Sequence, residues 1–189
     1  MAFKQNRVLF SAEQIAQRLR VVSREIARDL SGAGQNQLIF VPILEGGGRV
    51  GANLKTFVRD LWPGNVEISE RPIRIRRTAG MSLTPPVMKE LEPDERIFMN
   101  RAVLIIDDLI DEGATLKLAR DAISRLNPSV VKTFVVVKKR KKPVLDPDYF
   151  CFDLGYDSAE ADGKWLFGYG LDLDGELRDS DQISEVTKD

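Results

Sequence analysis

The sequence contains no histidine. That absence removes Ser–His triads, imidazole metal sites and histidine general bases, and leaves acid–base chemistry to carboxylates, lysine or tyrosine. It has one cysteine, Cys151, which excludes an intrachain disulfide and points to a reducing, cytoplasmic location. It has almost no net charge, with 28 Lys and Arg against 29 Asp and Glu. Such a balance gives no electrostatic footprint for nucleic acid or an anionic membrane. No apolar run approaches the ~18 residues of a membrane helix. The opening Met1-Ala2-Phe3-Lys4-Gln5-Asn6-Arg7 lacks the apolar core of a signal peptide. What is present is 189 residues of ordinary globular composition, enough for a single domain with a sizeable core.

Three strand-like segments dominate the pattern: the continuous apolar run Leu38–Leu44, then Ala102–Ile106 and Val130–Val137. Runs of this length and β-branched content read as strands buried on both faces. Between them lie helical periodicities. Ser11-Ala12-Glu13-Gln14 is a capping box, followed by Ile15, Leu19, Val22, Ile26 and Leu30 at helical spacing. Leu54, Phe57, Val58 and Leu61 mark a second helix, and Leu116, Ala119, Ile123 and Leu126 a third. Val66–Ile75 alternates as a strand, with Pro72 requiring an edge or a bend. Residues 76–95, with Gly80, Pro85, Pro86 and Pro93, read as a long loop of the kind that closes over an active site. Short strands are expected near 149–152 and 165–169, and the polar tail after Ile183 is expected to fray. This order implies an α/β fold, a central, mostly parallel sheet with helices on both faces. Ligands of such sheets bind at the carboxyl ends of the strands.

One such end carries chemistry. Residues 103–116 read Val-Leu-Ile-Ile-Asp-Asp-Leu-Ile-Asp-Glu-Gly-Ala-Thr-Leu, a buried strand running into two carboxylates, a short loop and a helix. Asp107 and Asp108 can accept hydrogen bonds from sugar hydroxyls or hold Mg²⁺ through oxygen. Asp111, Glu112, Gly113, Ala114 and Thr115 bridge strand to helix N-terminus, where exposed N–H groups and the helix dipole form a phosphate cradle. An acid pair alone also fits a Mg²⁺-binding receiver domain or a solvated loop of capping acids. The whole fourteen-residue pattern is more specific.

It resembles the phosphoribosyl-pyrophosphate signature of type I phosphoribosyltransferases, and over residues 8–180 the chain is similar to their hypoxanthine-guanine branch. Ile43-Leu44-Glu45-Gly46-Gly47 resembles the family's pyrophosphate loop, where the peptide here at Leu44–Glu45 can be cis. Lys164 to Asp172 resembles its hood segment, and Arg178 in Glu176-Leu177-Arg178-Asp179 matches its pyrophosphate-contacting arginine. The resemblance implies one domain over 1–189, with a core at about 11–145 and a small hood at 146–179 joined by the N-terminal segment. It implies transfer of ribose 5-phosphate from phosphoribosyl pyrophosphate to a 6-oxopurine, with Asp111 accepting the N7 proton. It places Lys138 on the purine 6-oxo group, Trp165 stacked on the base and the Leu166 backbone at the base edge. Asp172, with Asp107 and Asp108, would hold Mg²⁺, and a homodimer or homotetramer is expected.

Three departures bear on this reading. No Ser-Tyr pair occurs in 76–95, where the family's mobile loop has one. Glu112 replaces a small hydroxyl residue, and Glu45 puts a carboxylate in the pyrophosphate loop. Extra carboxylates beside a polyanion weaken its binding unless they point to solvent. Other base specificities (xanthine, adenine or a pyrimidine) and a non-catalytic sensor of phosphoribosyl pyrophosphate remain as alternatives. The basic run Lys139–Lys142 reads as a solvated turn.

Overall fold

The computed structural model describes residues 3–31, 36–44, 46–76, 87–90, 95–172 and 177–188. Strand β1 (Phe3–Phe10) leads into α1 (Ala12–Ser31). The helix begins at the capping box: Gln14 N donates to Ser11 Oγ at 3.3 Å, and Ser11 N to Gln14 Oε1 at 2.9 Å. Ile15, Leu19, Val22, Ile26 and Leu30, spaced at three or four residues, form its buried face. The chain continues through β2 (Gln37–Leu44), α2 (Gly47–Leu61), β3 (Glu67–Glu70), β4 (Ile73–Arg76), β5 (Val87–Glu90) and a single 3₁₀ turn at Glu95–Ile97. Then come β6 (Ala102–Ile110), α3 (Ala114–Ser124), β7 (Val130–Arg140), β8 (Tyr149–Tyr156), α4 (Ser158–Gly163), β9 (Lys164–Phe167) and β10 (Ile183–Lys188).

The larger sheet runs β5-β4-β2-β6-β7-β8, with β3 also paired to β2. Every pairing but β4–β5 is parallel. Along β2 and β6 the side chains alternate between two core layers. Leu38, Phe40, Leu104 and Ile106 pack with α1 and α2, whereas Ile39, Val41, Val103 and Ile105 pack with α3. These strands are therefore covered on both faces, which is why they read as unbroken apolar runs. Pro72 falls between β3, in register with Gln37–Phe40, and β4, in register with Ile43–Leu44. A residue without an N–H sits where the ladder is already interrupted.

Three segments differ from their sequence expectations. Val87–Glu90, inside the stretch read as loop, pairs antiparallel with β4; residues 77–86 and 91–94, which carry most of the lid expectation, lie outside the described residues. Strand β8 extends to Tyr156 and completes the larger sheet, whereas the hood expectation began at 146. The tail expected to fray is β10, the middle strand of an antiparallel sheet ordered β1-β10-β9. Its Ser184 and Glu185 are polar yet buried. Glu185 accepts from Tyr156 Oη at 2.5 Å and lies 3.8 Å from Lys164 Nζ, so composition alone misread a strand whose acid is paired.

Cys151 lies buried on β8. Burial pushes its thiol up from an ordinary 9.0 to about 12. A thiol raised in this way stabilises the fold fully below its ordinary value and loses that contribution as pH climbs towards 12. Native protein at pH 8 is therefore expected to resist a thiol reagent until it is denatured. Prompt labelling of the native state would contradict the burial.

Candidate active site

The carboxyl ends of β6 and β7 open on a cleft of 370 Å³ that is closed from above by α4, β9 and Asp172. Its floor is β6. That strand runs through to Ile110, so Asp107 and Asp108 lie within it rather than at its exit. Asp107 Oδ1 accepts from Asp108 N at 3.0 Å. Burial raises the Asp108 carboxyl above the ordinary carboxylate range, opposed by Asp107 and by the charge of Arg178.

Glycines let α2 approach this floor. A Cβ on Gly46 would lie 1.9 Å from Asp108 Oδ2, and one on Gly47 would lie 2.5 Å from the Ile106 carbonyl oxygen. Gly48 faces open space by comparison, with Leu44 Cδ2 at 3.7 Å. Gly46→Ala is therefore expected to destabilise by about 1–3 kcal/mol through overpacking, while Gly48→Ala, inside the helix, is neutral or slightly stabilising. Thermal melts of both variants check this; equal Tm values would remove the steric account. Gly46 is also the N-cap of α2 and brings no side-chain cap. Leu44 ends β2 beside it, and Glu45 lies outside the described residues.

Helix α3 provides a second uncapped N-terminus. Its N-cap, Gly113, has φ 88°, and a Cβ there would meet Leu145 N and Pro143 Cβ at 3.2 Å. Asp111, Gly113 and Thr115 line the cleft. Glu112 is exposed, and its carbonyl accepts from Val144 N at 2.8 Å. The helix start thus presents N–H groups to the cleft with the Glu112 side chain at the protein surface.

The lysine that lines the cleft is Lys139, not the expected Lys138. Lys138 turns away: its Nζ lies 2.7 Å from Asp146, 3.5 Å from Asp153 and 5.7 Å over the Phe150 ring. The hydrogen bond to Asp146 leads the effects that raise its pKa. Lys139 instead lines the cleft, its side chain only 8% exposed, with Nζ 3.1 Å from Asp111 Oδ2. The reason lies in β7. Phe134 and Val136 face the layer beneath the cleft, so strict alternation would send Lys138 there. However, Val137 packs in that same layer, as does its partner Leu109 on β6. The alternation slips by one, and Lys139 takes the cleft side. Arg140 follows at the end of the strand, also mostly buried. Its Nε donates to Asp111 Oδ1 and its Nη2 to Asp162 of α4 at 2.5 Å. The solvated-turn reading holds only for Lys141 and Lys142, which are exposed.

The roof brings the remaining candidates together. Trp165, 41% exposed, and Leu166, buried, line the cleft from β9 opposite the Asp107–Thr115 segment. Asp172 lines it too and pairs with Arg178 Nη2 at 2.8 Å. Asp107, Asp108 and Asp172 do not form a metal cage: among the described residues no group of three acids or cysteines converges to hold an ion. Lys139, Arg140 and Asp162 are site residues that sequence reasoning missed. A strand register off by one residue, and contacts across 28 and 22 residues of chain, leave no local pattern.

The sequence profile of the phosphoribosyl transferase domain matches residues 9–168. The chain belongs to that family. Within it, the chain is similar to hypoxanthine-guanine phosphoribosyltransferases from Mycobacterium tuberculosis, 28% identical over 95% of this chain and 85% of the relative, and from Aquifex aeolicus, 26% identical over 89% and 88%. Among solved structures it is similar to a point mutant of the Trypanosoma cruzi hypoxanthine phosphoribosyltransferase in a ternary substrates complex. The TM-score is 0.81 at 26% identity, covering 96% of this chain and 95% of that one. The fold shared with that structure is the one described here, a mostly parallel sheet flanked by helices.

Proposed function

We propose that this phosphoribosyl transferase uses hypoxanthine or guanine, joining a 6-oxopurine to ribose 5-phosphate from phosphoribosyl pyrophosphate in purine salvage. The observation that carries the choice of base is the pair Lys139 Nζ and Asp111 Oδ2, 3.1 Å apart in one cleft. The 6-oxo oxygen and N7 of a purine are neighbours on one edge. A fixed donor beside a fixed acceptor complements that edge when O6 accepts and N7 carries a proton. Adenine would present its amino donor to the ammonium, which has donors only. The relatives' names support the same substrate class.

In this reading the 5′-phosphate rests on the N–H groups at Asp111–Thr115, and Asp107 and Asp108 accept from the ribose hydroxyls. The purine stacks on Trp165 with its edge against Leu166. N9 attacks C1, the bond from C1 to the pyrophosphate oxygen breaks, and pyrophosphate leaves against Arg178. The N7 proton passes to Asp111, whose two remaining lone-pair sites are not used by Lys139 and Arg140. The carboxylates of the floor favour the positive charge that develops on the ribose. An oxygen-only donor set without a closed cage fits Mg²⁺, which takes one or two carboxylates and completes its shell with substrate phosphates; Asp172, with Asp107 or Asp108, would hold it. When bound, it neutralises pyrophosphate oxygens.

The homodimer or homotetramer implied by the family belongs to the same proposal and is measured by light scattering. Activity is tested by a coupled assay of the purified protein with hypoxanthine, guanine, xanthine, adenine and uracil, each with phosphoribosyl pyrophosphate and Mg²⁺. Hypoxanthine or guanine is expected to have the highest kcat/KM. Adenine or uracil as best substrate would overturn the base assignment, and no transfer at all would favour a sensor.

A further inference from the structure

Arg49 belongs to no motif, yet it ties together parts of the site that are far apart in sequence. It lies in the first turn of α2, just after the glycines that ride on Asp108. Its Nη1 donates to the carbonyls of Arg178 and Ser180, each at 3.3 Å, and its Nη2 pairs with Asp181. The guanidinium also sits 5.1 Å over the Tyr169 ring. The same two carbonyls already accept from the hood loop, from Gly170 N at 3.0 Å and Tyr169 N at 2.7 Å. Arg49 therefore shares the acceptors of two backbone hydrogen bonds that hold the segment after β9 against the segment before β10. One turn along α2, Asn53 donates to Tyr169 Oη at 2.8 Å.

This loop requires outside support. Tyr169 (φ 56°) and Leu177 (φ 64°) are side-chain-bearing residues in the left-handed region, and Gly168 and Gly170 have φ 90° and 101°. Such backbone persists only where surrounding contacts hold it. The loop also lies directly on the turn before α2, since a Cβ on Gly170 would come within 3.1 Å of the Gly46 carbonyl oxygen. It carries both members of the Asp172–Arg178 pair, and Arg178 Nη1 donates to Gly170 O at 3.0 Å.

We infer that Arg49 is a positioning residue for the pyrophosphate end of the site: it fixes the hood loop to α2, and so fixes Arg178 and Asp172 above Asp108, without touching substrate. The inference rests on the function proposed above for Arg178. With a third of its side chain exposed, Arg49 adds little to global stability. A small displacement of a group that positions substrate nevertheless has large kinetic consequences.

The test compares Arg49→Ala, Arg49→Lys and the parent in two ways. Hydrogen exchange without ligand should show faster exchange of the Tyr169 and Gly170 amides in Arg49→Ala, with β10 unaltered. In steady-state assays KM for phosphoribosyl pyrophosphate should rise about 10-fold or more, while KM for hypoxanthine stays within about twofold. Arg49→Lys keeps the charge but has no second nitrogen to hold Asp181 while the first holds the carbonyls, so it should fall between. Unchanged exchange at 169–170, an unchanged KM for phosphoribosyl pyrophosphate, or an equal rise in both KM values overturns the inference. A parent that transfers to no base overturns the proposed function instead, and the exchange pattern then decides the clamp alone.

Discussion

Asp111→Asn is expected to lower kcat by about 10²–10⁴-fold, the usual loss when general-base assistance is removed, while phosphoribosyl pyrophosphate still binds. The amide occupies nearly the same space but cannot take the N7 proton. The structure adds a second effect. Asp111 receives Lys139 on one oxygen and Arg140 on the other. An asparagine offers one acceptor and one donor, so one of these two cations meets an N–H. Lys139 is nearly buried and loses its counter-charge, which should cost about 1–3 kcal/mol of stability. Turnover therefore has to be compared at a temperature where the melt shows the variant fully folded. Single-turnover kinetics at saturating substrate separates the chemical step from binding. Equal turnover in variant and parent would remove Asp111 from proton transfer, and a rise in the dissociation constant of phosphoribosyl pyrophosphate matching the fall in rate would make it a binding residue.

What was legible in the sequence follows from which signals are local. The capping box at Ser11–Gln14 and the spacing of Ile15 to Leu30 fix α1 within one turn of chain. The apolar runs of β2 and β6 declare strands covered on both faces, and β7 adds one buried polar group, Thr133, whose hydroxyl is paired with Asp148. The step from Asp107 to Thr115 carries its candidate chemistry in consecutive residues, so its place on the cleft follows from one stretch of chain. Lys138 and Lys139 show the limit. They are adjacent and chemically identical in sequence. Only the double occupancy of one layer by Val136 and Val137 decides which of them enters the cleft. Likewise β10 is polar by composition, and Glu185 reads as a solvent acid until Tyr156 and Lys164, from two other elements, are brought to it. Arg49 and Arg140 act through partners 18 to 132 residues away, and no local sequence pattern contains both ends of such a contact.

Lys139→Ala is expected to lower kcat/KM for hypoxanthine and guanine by about 10–100-fold, the range for losing a charged hydrogen-bond donor. Lys138→Ala should leave the base profile unaltered, since its Nζ is held by Asp146 and Asp153 on the other face of β7. A fall in activity with hypoxanthine alone would not prove a contact with O6, because Lys139 also holds Asp111 and its loss could let the carboxylate drift. The ratio between bases separates the two effects. Drift of Asp111 slows every purine alike, whereas loss of a donor to O6 penalises 6-oxopurines and relieves the clash with the 6-amino group of adenine. The ratio of kcat/KM for hypoxanthine to that for adenine should therefore fall in Lys139→Ala. It should fall further in Lys139→Gln, whose amide can turn its oxygen to the adenine amino group and its nitrogen to Asp111. KM for phosphoribosyl pyrophosphate should change little in both. A constant ratio across parent, Lys139→Ala and Lys139→Gln would reduce Lys139 to a support for Asp111. A shift in the ratio on mutating Lys138 would mean that β7 presents its other face to the base when substrate is bound.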